Sequence, residues 1–438
     1  MIAIVRAVTL LLNPRRISSS QVAAEVAALG RDAARDAETE HTVREVLAAV
    51  RDRGYPAVRE YSQRFDGVAC DEGSLRVDGA ALTSALATLE QSEPDLVAAL
   101  RTMIANVRAF AEAERGALLD VELTLPGGGT VGQRWLPIER IGVYIPGGRA
   151  FYPSTLVMTV VPAQVAGAKR IVGVTPPRAE GPDLRVLATA ALVGLEELYL
   201  VGGAQGVGYL AYGAPAVDLI AGPGNRYVAE AKRQLLGRCG IDSVAGPTEV
   251  LILADDAADP DAVAEDLLAQ AEHDPDAAAV CIGESEAWLG RVAEALGKRV
   301  ESSARRDVLT QSIGKHARLY AADFETAVAF AEAWAPEHLE VAAADTARYL
   351  PRLHAAGALF LGHATAEAFG DYGVGPNHVL PTNRTARFAS PLGVQTYMKR
   401  QSVLALSAAD AALASPWVAR IADAEGLVHH ASSARLRK

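Results

Sequence analysis

LYLVGGAQGVGYLAYGAPAVDLIAGPGN, residues 198–225, decides how the chain folds. Leu198 to Val201 is a short apolar run that reads as a strand. Gln205 to Tyr212 reads as a short helix, Val217 to Ala221 as a second strand, and Asn225 to Leu236 as the next helix. Strands separated by single helices at this spacing imply a parallel sheet with crossover helices. The pattern extends upstream through a strand at Ile141 to Ile145, a helix at Ser154 to Ala168 around Pro162, a strand at Arg170 to Thr175 and a helix at Pro182 to Val193. Ligands of such sheets lie beyond the carboxyl ends of the strands. Those ends carry Tyr144 with Pro146-Gly147-Gly148, then Gly202-Gly203-Ala204-Gln205, then Gly222-Pro223-Gly224-Asn225. Tight packing of helix on strand explains any one of these turns. Three on one edge also allow a phosphate to approach backbone N–H groups at helix starts, which points to a nucleotide.

A second α/β pattern follows, with the break near Ala245-Gly246-Pro247. Its strands are Val250 to Ala254, Ala278 to Ile282, Arg318 to Ala321, Leu339 to Val341 and Ala358 to Leu361; helices are expected at 259–275, 284–300 and 324–334. In the first of these helices Asp259 is a suitable N-cap, Pro260 a first-turn residue and Pro275 the stop. Upstream, residues 17–118 are mostly helical. Thr42 and Glu45 resemble a capping box, Arg53 to Pro56 a turn, and Pro94 a new helix start. Charged residues there read as solvated faces, and nothing suggests a reaction centre. From Val121 the period becomes that of a hairpin. Gly127, Gly129 and Gly132 match GxGxxG, but no helix follows, so this is a turn and not a dinucleotide fingerprint. The expected fold is α/β: two incomplete Rossmann-like domains with parallel sheets, plus small N- and C-terminal segments.

Composition narrows the function. The chain has 438 residues, half of them hydrophobic, which requires more than one structural unit. A net charge of −11 argues against nucleic-acid binding, which needs a basic surface. Cys70, Cys239 and Cys281 form no CxxC pair, as in a reducing compartment. The opening MIAIVRAVTLLL is interrupted by Arg6 and lacks a cleavage site, so it reads as a strand and not a signal peptide. The apolar run 154–168 contains Pro162 and Gln164 and falls short of a membrane span. The expectation is a cytoplasmic protein that binds no membrane.

Polar residues gather at four places. Gln270 and His273 are three apart in the 259–275 helix, a spacing that puts both on one face and suits either a polar surface patch or one edge of a divalent metal site. Glu337-His338 falls at a helix-to-strand turn, where one can accept a proton and the other activate water. Asp371 and His378 share a glycine-rich loop, and glycines let a loop lie close to a ligand. Glu425 and His429-His430 lie near the C-terminus. A solvated turn or a frayed end explains each place alone. Eight of the nine histidines lie from residue 273 onward, which favours a histidine-using site in this half.

Taken in order, GVYIPGG (142–148), VGGAQ (201–205), GPGN (222–225), AGPTEV (245–250), QAEHD (270–274), PEHLE (336–340), GDYGVGPNHVLPT (370–382) and EGLVHH (425–430) resemble the histidinol dehydrogenase family over nearly the whole chain. The resemblance implies a zinc- and NAD-using enzyme that oxidises L-histidinol through the aldehyde to L-histidine with two NAD+. It implies Gln270, His273, Asp371 and His430 as zinc ligands. It implies His338 as general base and Glu337 as the group that activates water. Thr248, His378 and Glu425 match substrate contacts, together with His338 and the four zinc ligands; Tyr144, Gln205 and Asn225 match NAD contacts. His429 takes no ligand role. The resemblance further implies a homodimer in which Glu425 and His430 serve the neighbouring subunit's site. The matching division of the chain is an N-terminal segment 1–35, a zinc and catalytic domain from 36–121 with 248–392, an NAD-binding domain 122–247, and a C-terminal segment 393–438.

Two departures stand out. Thr248 replaces the family's serine, keeping the hydroxyl and adding a methyl. The chain between Gln205 and Asn225 is a few residues short, around Gly213-Ala214-Pro215. Two rival readings remain at this level: a relative on the same fold that oxidises another primary alcohol, and a non-catalytic zinc- or nucleotide-binding regulator. Retained His378 and Glu425 speak against the first, and retained Glu337 and His338 against the second.

Overall fold

The computed structural model describes residues 12–30, 36–68, 71–147, 152–213 and 216–437. Residues 1–11 of the expected opening strand, Cys70, Gly148 and Ala214-Pro215 lie outside these ranges. In chain order the strands are β1 (Arg15–Arg16), β2 (Val121–Thr124), β3 (Thr130–Pro137), β4 (Arg140–Tyr144), β5 (Arg170–Thr175), β6 (Glu197–Leu200), β7 (Leu219–Ala221), β8 (Gly240–Ile241), β9 (Glu249–Ala254), β10 (Ala278–Gly283), β11 (Arg318–Ala321), β12 (His338–Ala342), β13 (Ala358–Leu361) and β14 (Met398–Ala405).

They form three sheets. The first has the order β6-β5-β4-β7-β8 and is parallel throughout. The second has the order β1-β11-β10-β9-β12-β13, also parallel. The third is antiparallel, β14-β3-β2. Every residue of β9 and β10 is buried. That is the reason these segments read as continuous apolar runs: helices cover both faces of a parallel sheet. Helix Pro260–Ala271 with Glu286–Ser302 and Arg306–His316 packs on one face of the second sheet. Val22 and Val26 with helix Phe324–Trp334 pack on the other.

The first sheet is enclosed in the same way. Helices Ala37–Arg53 and Tyr55–Asp66 join Gly203–Tyr212 and Arg226–Gln234 on one face. Helices Pro94–Ala117 and Pro153–Ala166 cover the other, with Val394, Tyr397 and Met398 from the C-terminal part of the chain. The helices from 37 to 117 thus pack on the first sheet, although the division of the sequence groups 36–121 with the second.

Most expected elements fall within a residue or two of their places, and three readings need correction. The Thr42–Glu45 pair is not a helix start. The helix begins at Ala37, and Asp36 caps it by accepting from Glu38 N–H at 3.1 Å. The helix carrying Gln270 ends at Ala271, so His273 does not share a helical face with it. His273 lies in the following turn, where its N–H reaches the Gln270 carbonyl at 3.3 Å. The C-terminus is not a frayed end. Helix Ala408–Ala424 stops at Gly426, whose φ of +74° reverses the chain into helix Val428–Arg435.

The glycine-rich turn between β2 and β3 has a defined purpose. Gly127 and Gly129 N–H groups donate to the two carboxylate oxygens of Asp410 at 2.6 and 2.7 Å. A Cβ on either glycine would stand 2.6 Å from an Asp410 oxygen. The turn is therefore a backbone clamp on the C-terminal helices. Among the described residues no helix is long and apolar enough to cross a membrane.

Candidate active site

Between the two parallel sheets lies a cleft of about 590 Å³. Gly147 and Asn225 reach it from the first sheet. Thr248, Glu337 and His338 reach it from the second. His273, Asp371 and His378 complete the polar lining.

His338 opens β12 and is buried. Its Nδ1 lies 3.3 Å from the Glu249 carbonyl on neighbouring β9. A carbonyl only accepts, so Nδ1 carries the proton, and Nε2 keeps its lone pair. Nε2 stands 4.0 Å from Asp371 Oδ1. Burial lowers the pKa of the imidazole, and Asp371 only partly offsets this. A neutral ring with Nε2 unprotonated is the form a general base requires.

Glu337 is buried beside it, with Oε2 3.6 Å from His338 Nδ1. Thr248 Oγ1 donates to Glu337 Oε2 at 2.5 Å, and Glu249 N–H donates at 3.0 Å. The threonine thus keeps a hydroxyl on the carboxylate, and its extra methyl does not displace it. Thr248 Oγ1 is also 2.5 Å from the Gln270 amide. Gln270 is completely buried. With its nitrogen turned to Glu367, its oxygen accepts from Glu249 N–H at 2.6 Å.

His273 Nε2 and Asp371 Oδ2 are 3.7 Å apart. Burial lowers the His273 pKa and keeps the ring neutral. Neutral imidazole beside carboxylate is the donor chemistry that borderline divalent cations take. His378 Nδ1 is 2.8 Å from the Asp371 carbonyl, so its Nε2 is the unprotonated nitrogen. Burial lowers its pKa as well. Among the described residues no three His, Cys, Asp or Glu side chains of this one chain come close enough to hold an ion. The chain brings two of the four expected ligands side by side and holds Gln270 in hydrogen bonds to protein. It leaves His430 and Glu425 exposed on the C-terminal helices, away from the cleft.

A second cavity, about 440 Å³, joins the cleft through Gly147 and Asn225, which line both. It contains all three residues expected to contact a dinucleotide. The Tyr144 hydroxyl accepts from Gly203 N–H at 3.0 Å, and burial raises its pKa. Gln205 Nε2 donates to Asp66 Oδ2 at 3.0 Å. Asn225 caps its helix by accepting from Tyr227 and Val228 N–H groups. Pro176, Pro177 and Arg178 form another side.

Sequence reasoning missed Thr42, Phe65 and Asp66, which also line this cavity. It also missed Glu367, a fully buried carboxyl 3.6 Å from His338 Nδ1 whose pKa burial raises well above the usual range. An Asp at the end of an amphipathic helix carries no local sign of function, and neither does a Glu in a short one.

The histidinol dehydrogenase family model matches residues 29–438. The chain belongs to that family. It is 43% identical over 435 residues to the histidinol dehydrogenase of Cupriavidus pinatubonensis, covering 97% of each chain. It is 42% identical over 408 residues to that of Pseudomonas aeruginosa, covering 92% of this chain and 91% of the other. The crystal structure of histidinol dehydrogenase from Elizabethkingia anophelis superposes with a TM-score of 0.86 at 30% identity, covering 97% of this chain and 94% of that one. Membership in the family makes the chain an NAD-dependent oxidoreductase of histidine biosynthesis.

Proposed function

We propose that the cleft oxidises L-histidinol through L-histidinal to L-histidine, with His338 as the base of both oxidations. The observation that carries this reading is the buried imidazole whose Nδ1 is committed to the Glu249 carbonyl while Nε2 remains unprotonated. His338 Nε2 takes the proton of the substrate hydroxyl, and after hydration takes that of the aldehyde hydrate. Glu337, oriented by Thr248 and the Glu249 N–H, draws a proton from the water that attacks the aldehyde carbon. The carbon loses two hydrides in all and gains one water oxygen. NAD+ supplies the acceptor for each hydride. Tyr144, Gln205 and Asn225 would hold the dinucleotide in the adjoining cavity.

Zinc would be held by His273 and Asp371, with His430 from a second copy of the chain, and by Gln270 once its oxygen is released from the Glu249 N–H. Bound there, it would supply a template for the substrate's amine and imidazole nitrogens. His378 and Glu425 bind the same substrate, Glu425 also from the second copy. Support for a homodimer comes from the C-terminal helices. They pack chiefly on each other through Ala419, Ala422 and Ala431, and expose Leu413, Trp417, Ile421 and Val428. Exposed apolar residues in such a cluster mark an association surface.

The test uses two variants. His338→Gln should retain zinc and lose about 10²- to 10⁴-fold in turnover. His273→Ala should lose zinc and activity together. Full turnover by either variant, or full activity without bound metal, would refute the assignment.

A further inference from the structure

The cavity beside the cleft contains a carboxylate that the reaction does not use. Asp66 ends the helix Tyr55–Asp66 and is half-buried in the cavity wall. Its hydrogen-bond donor among the described residues is the neutral Gln205 amide, and no cation lies within ion-pair distance. Burial pushes its pKa up to about 6. Gln205 is itself completely buried, and its Oε1 has no partner among the described residues. Asp66 therefore presents to the cavity an under-solvated carboxylate that accepts from one neutral amide and has acceptor capacity left over. Such a group calls for a ligand with O–H donors.

The position identifies which part of the ligand that is. The nicotinamide end of a dinucleotide must reach the cleft that holds His338, through the junction at Gly147 and Asn225. Thr42, Phe65 and Asp66 line the second cavity only, so the adenosine half lies toward them. A ribose diol offers two O–H donors to a carboxylate, as acidic residues of other dinucleotide folds exploit. A phosphate on the same ribose would face the carboxylate charge. Among the described residues Arg178, 3.6 Å from Glu180, is the cation lining this cavity, and the diphosphate carries charge of the opposite sign.

We propose that Asp66 receives the adenosine-ribose hydroxyls of the dinucleotide and selects NAD over its 2′-phosphorylated form. The proposal rests on the assignment of this cavity to the dinucleotide. Asp66 is then a specificity residue contributed by the N-terminal helices, outside the sheet that carries the other contacts.

The experiment is titration of the full-length protein, without substrate, with NADH and with NADPH, followed by nucleotide fluorescence. Wild type, Asp66→Asn and Asp66→Ala are compared, with circular dichroism to confirm folding. Asn keeps an acceptor for Gln205 Nε2 but loses the charge. Both variants should weaken NADH binding about tenfold, the scale of a hydrogen bond to a charged group. Both should bind NADPH no worse than wild type, so that the preference shrinks by at least about tenfold. If Asp66→Asn binds both nucleotides like wild type while Asp66→Ala weakens both equally, Asp66 only braces Gln205 and the proposal fails. If folded wild type binds neither nucleotide, the assignment of the cavity fails and the proposal with it.

Discussion

His338 and Thr248 show how single atoms divide the labour of the site. The Glu249 carbonyl fixes the imidazole tautomer, and the Thr248 hydroxyl orients Glu337. Thr248→Val keeps the shape and removes the hydroxyl. It should slow aldehyde-to-acid conversion by about tenfold, the cost of one hydrogen bond to a charged group, while Thr248→Ser stays near wild type. Rates measured with L-histidinal as substrate check this. Asp66 offers a second test. Burial raises its pKa from the ordinary 3.8 to about 6. The folded protein then holds this proton more tightly than the unfolded chain, so stability is lost as pH rises across that window. Asp66→Asn has no charge to desolvate. It should be more stable than wild type by about 1 kcal/mol at neutral pH, allowing for solvent screening of a half-exposed group, with the gain gone near pH 4. Urea midpoints at the two pH values decide; a gain independent of pH would contradict the assigned cause. At this scale the Glu337-His338 pair was legible because two titratable residues sit together at a strand start. Asp66 was not, because its meaning depends on Gln205, 139 residues away.

The turn Gly222–Asn225 shows how an element is held for function. Gly222 has a φ of +113°, and a Cβ there would stand 2.3 Å from the Tyr144 carbonyl oxygen. Behind it, Lys232 and Asp242 form a completely buried ion pair. Lys232 Nζ donates to the Gly222 carbonyl at 2.9 Å, and Asp242 accepts from the Gly222 N–H at 2.8 Å. The pair therefore holds both polar groups of Gly222, three residues before Asn225, which lines both cavities. Lys232→Met leaves Asp242 buried without its partner and should cost about 3–5 kcal/mol. Denaturant unfolding measures that cost, and NADH titration should show weaker binding by the variant. An unchanged midpoint would contradict the role given to the pair. The alternation of strand and helix was readable because buried parallel strands are continuous apolar runs. Strand β14 was not, since seven of its eight residues are exposed and carry no burial period. The helix before His273 was expected to run up to the stop at Pro275 but ends at Ala271: the residue before Pro275 is already biased out of the helical region, and the chain turns earlier still.

At the scale of the molecule, one chain brings His338, Glu337, His273 and Asp371 together in the cleft, while Glu425 and His430 are exposed at the C-terminal helices. The proposed function therefore requires assembly to complete the active site. Co-expressed His338→Gln and His430→Ala chains should recover activity that neither variant has alone. In a mixed dimer one site has an intact cleft and an intact arm, so random pairing yields about a quarter of wild-type activity. No recovery in proven mixed dimers would show that the arm serves its own chain. The motifs led to His273, Asp371 and His378 in the cleft, whereas the distance of Glu425 and His430 from it was not legible in their spacing, because spacing along a chain does not report which copy a helix faces.

The most direct test of the account is the amount of NADH formed per L-histidinol consumed by zinc-loaded protein, with the product identified. Two NADH and L-histidine are predicted for wild type, and accumulation of aldehyde after one NADH for Glu337→Gln. One NADH with released aldehyde from wild type, or none from folded, metal-loaded protein, would contradict it.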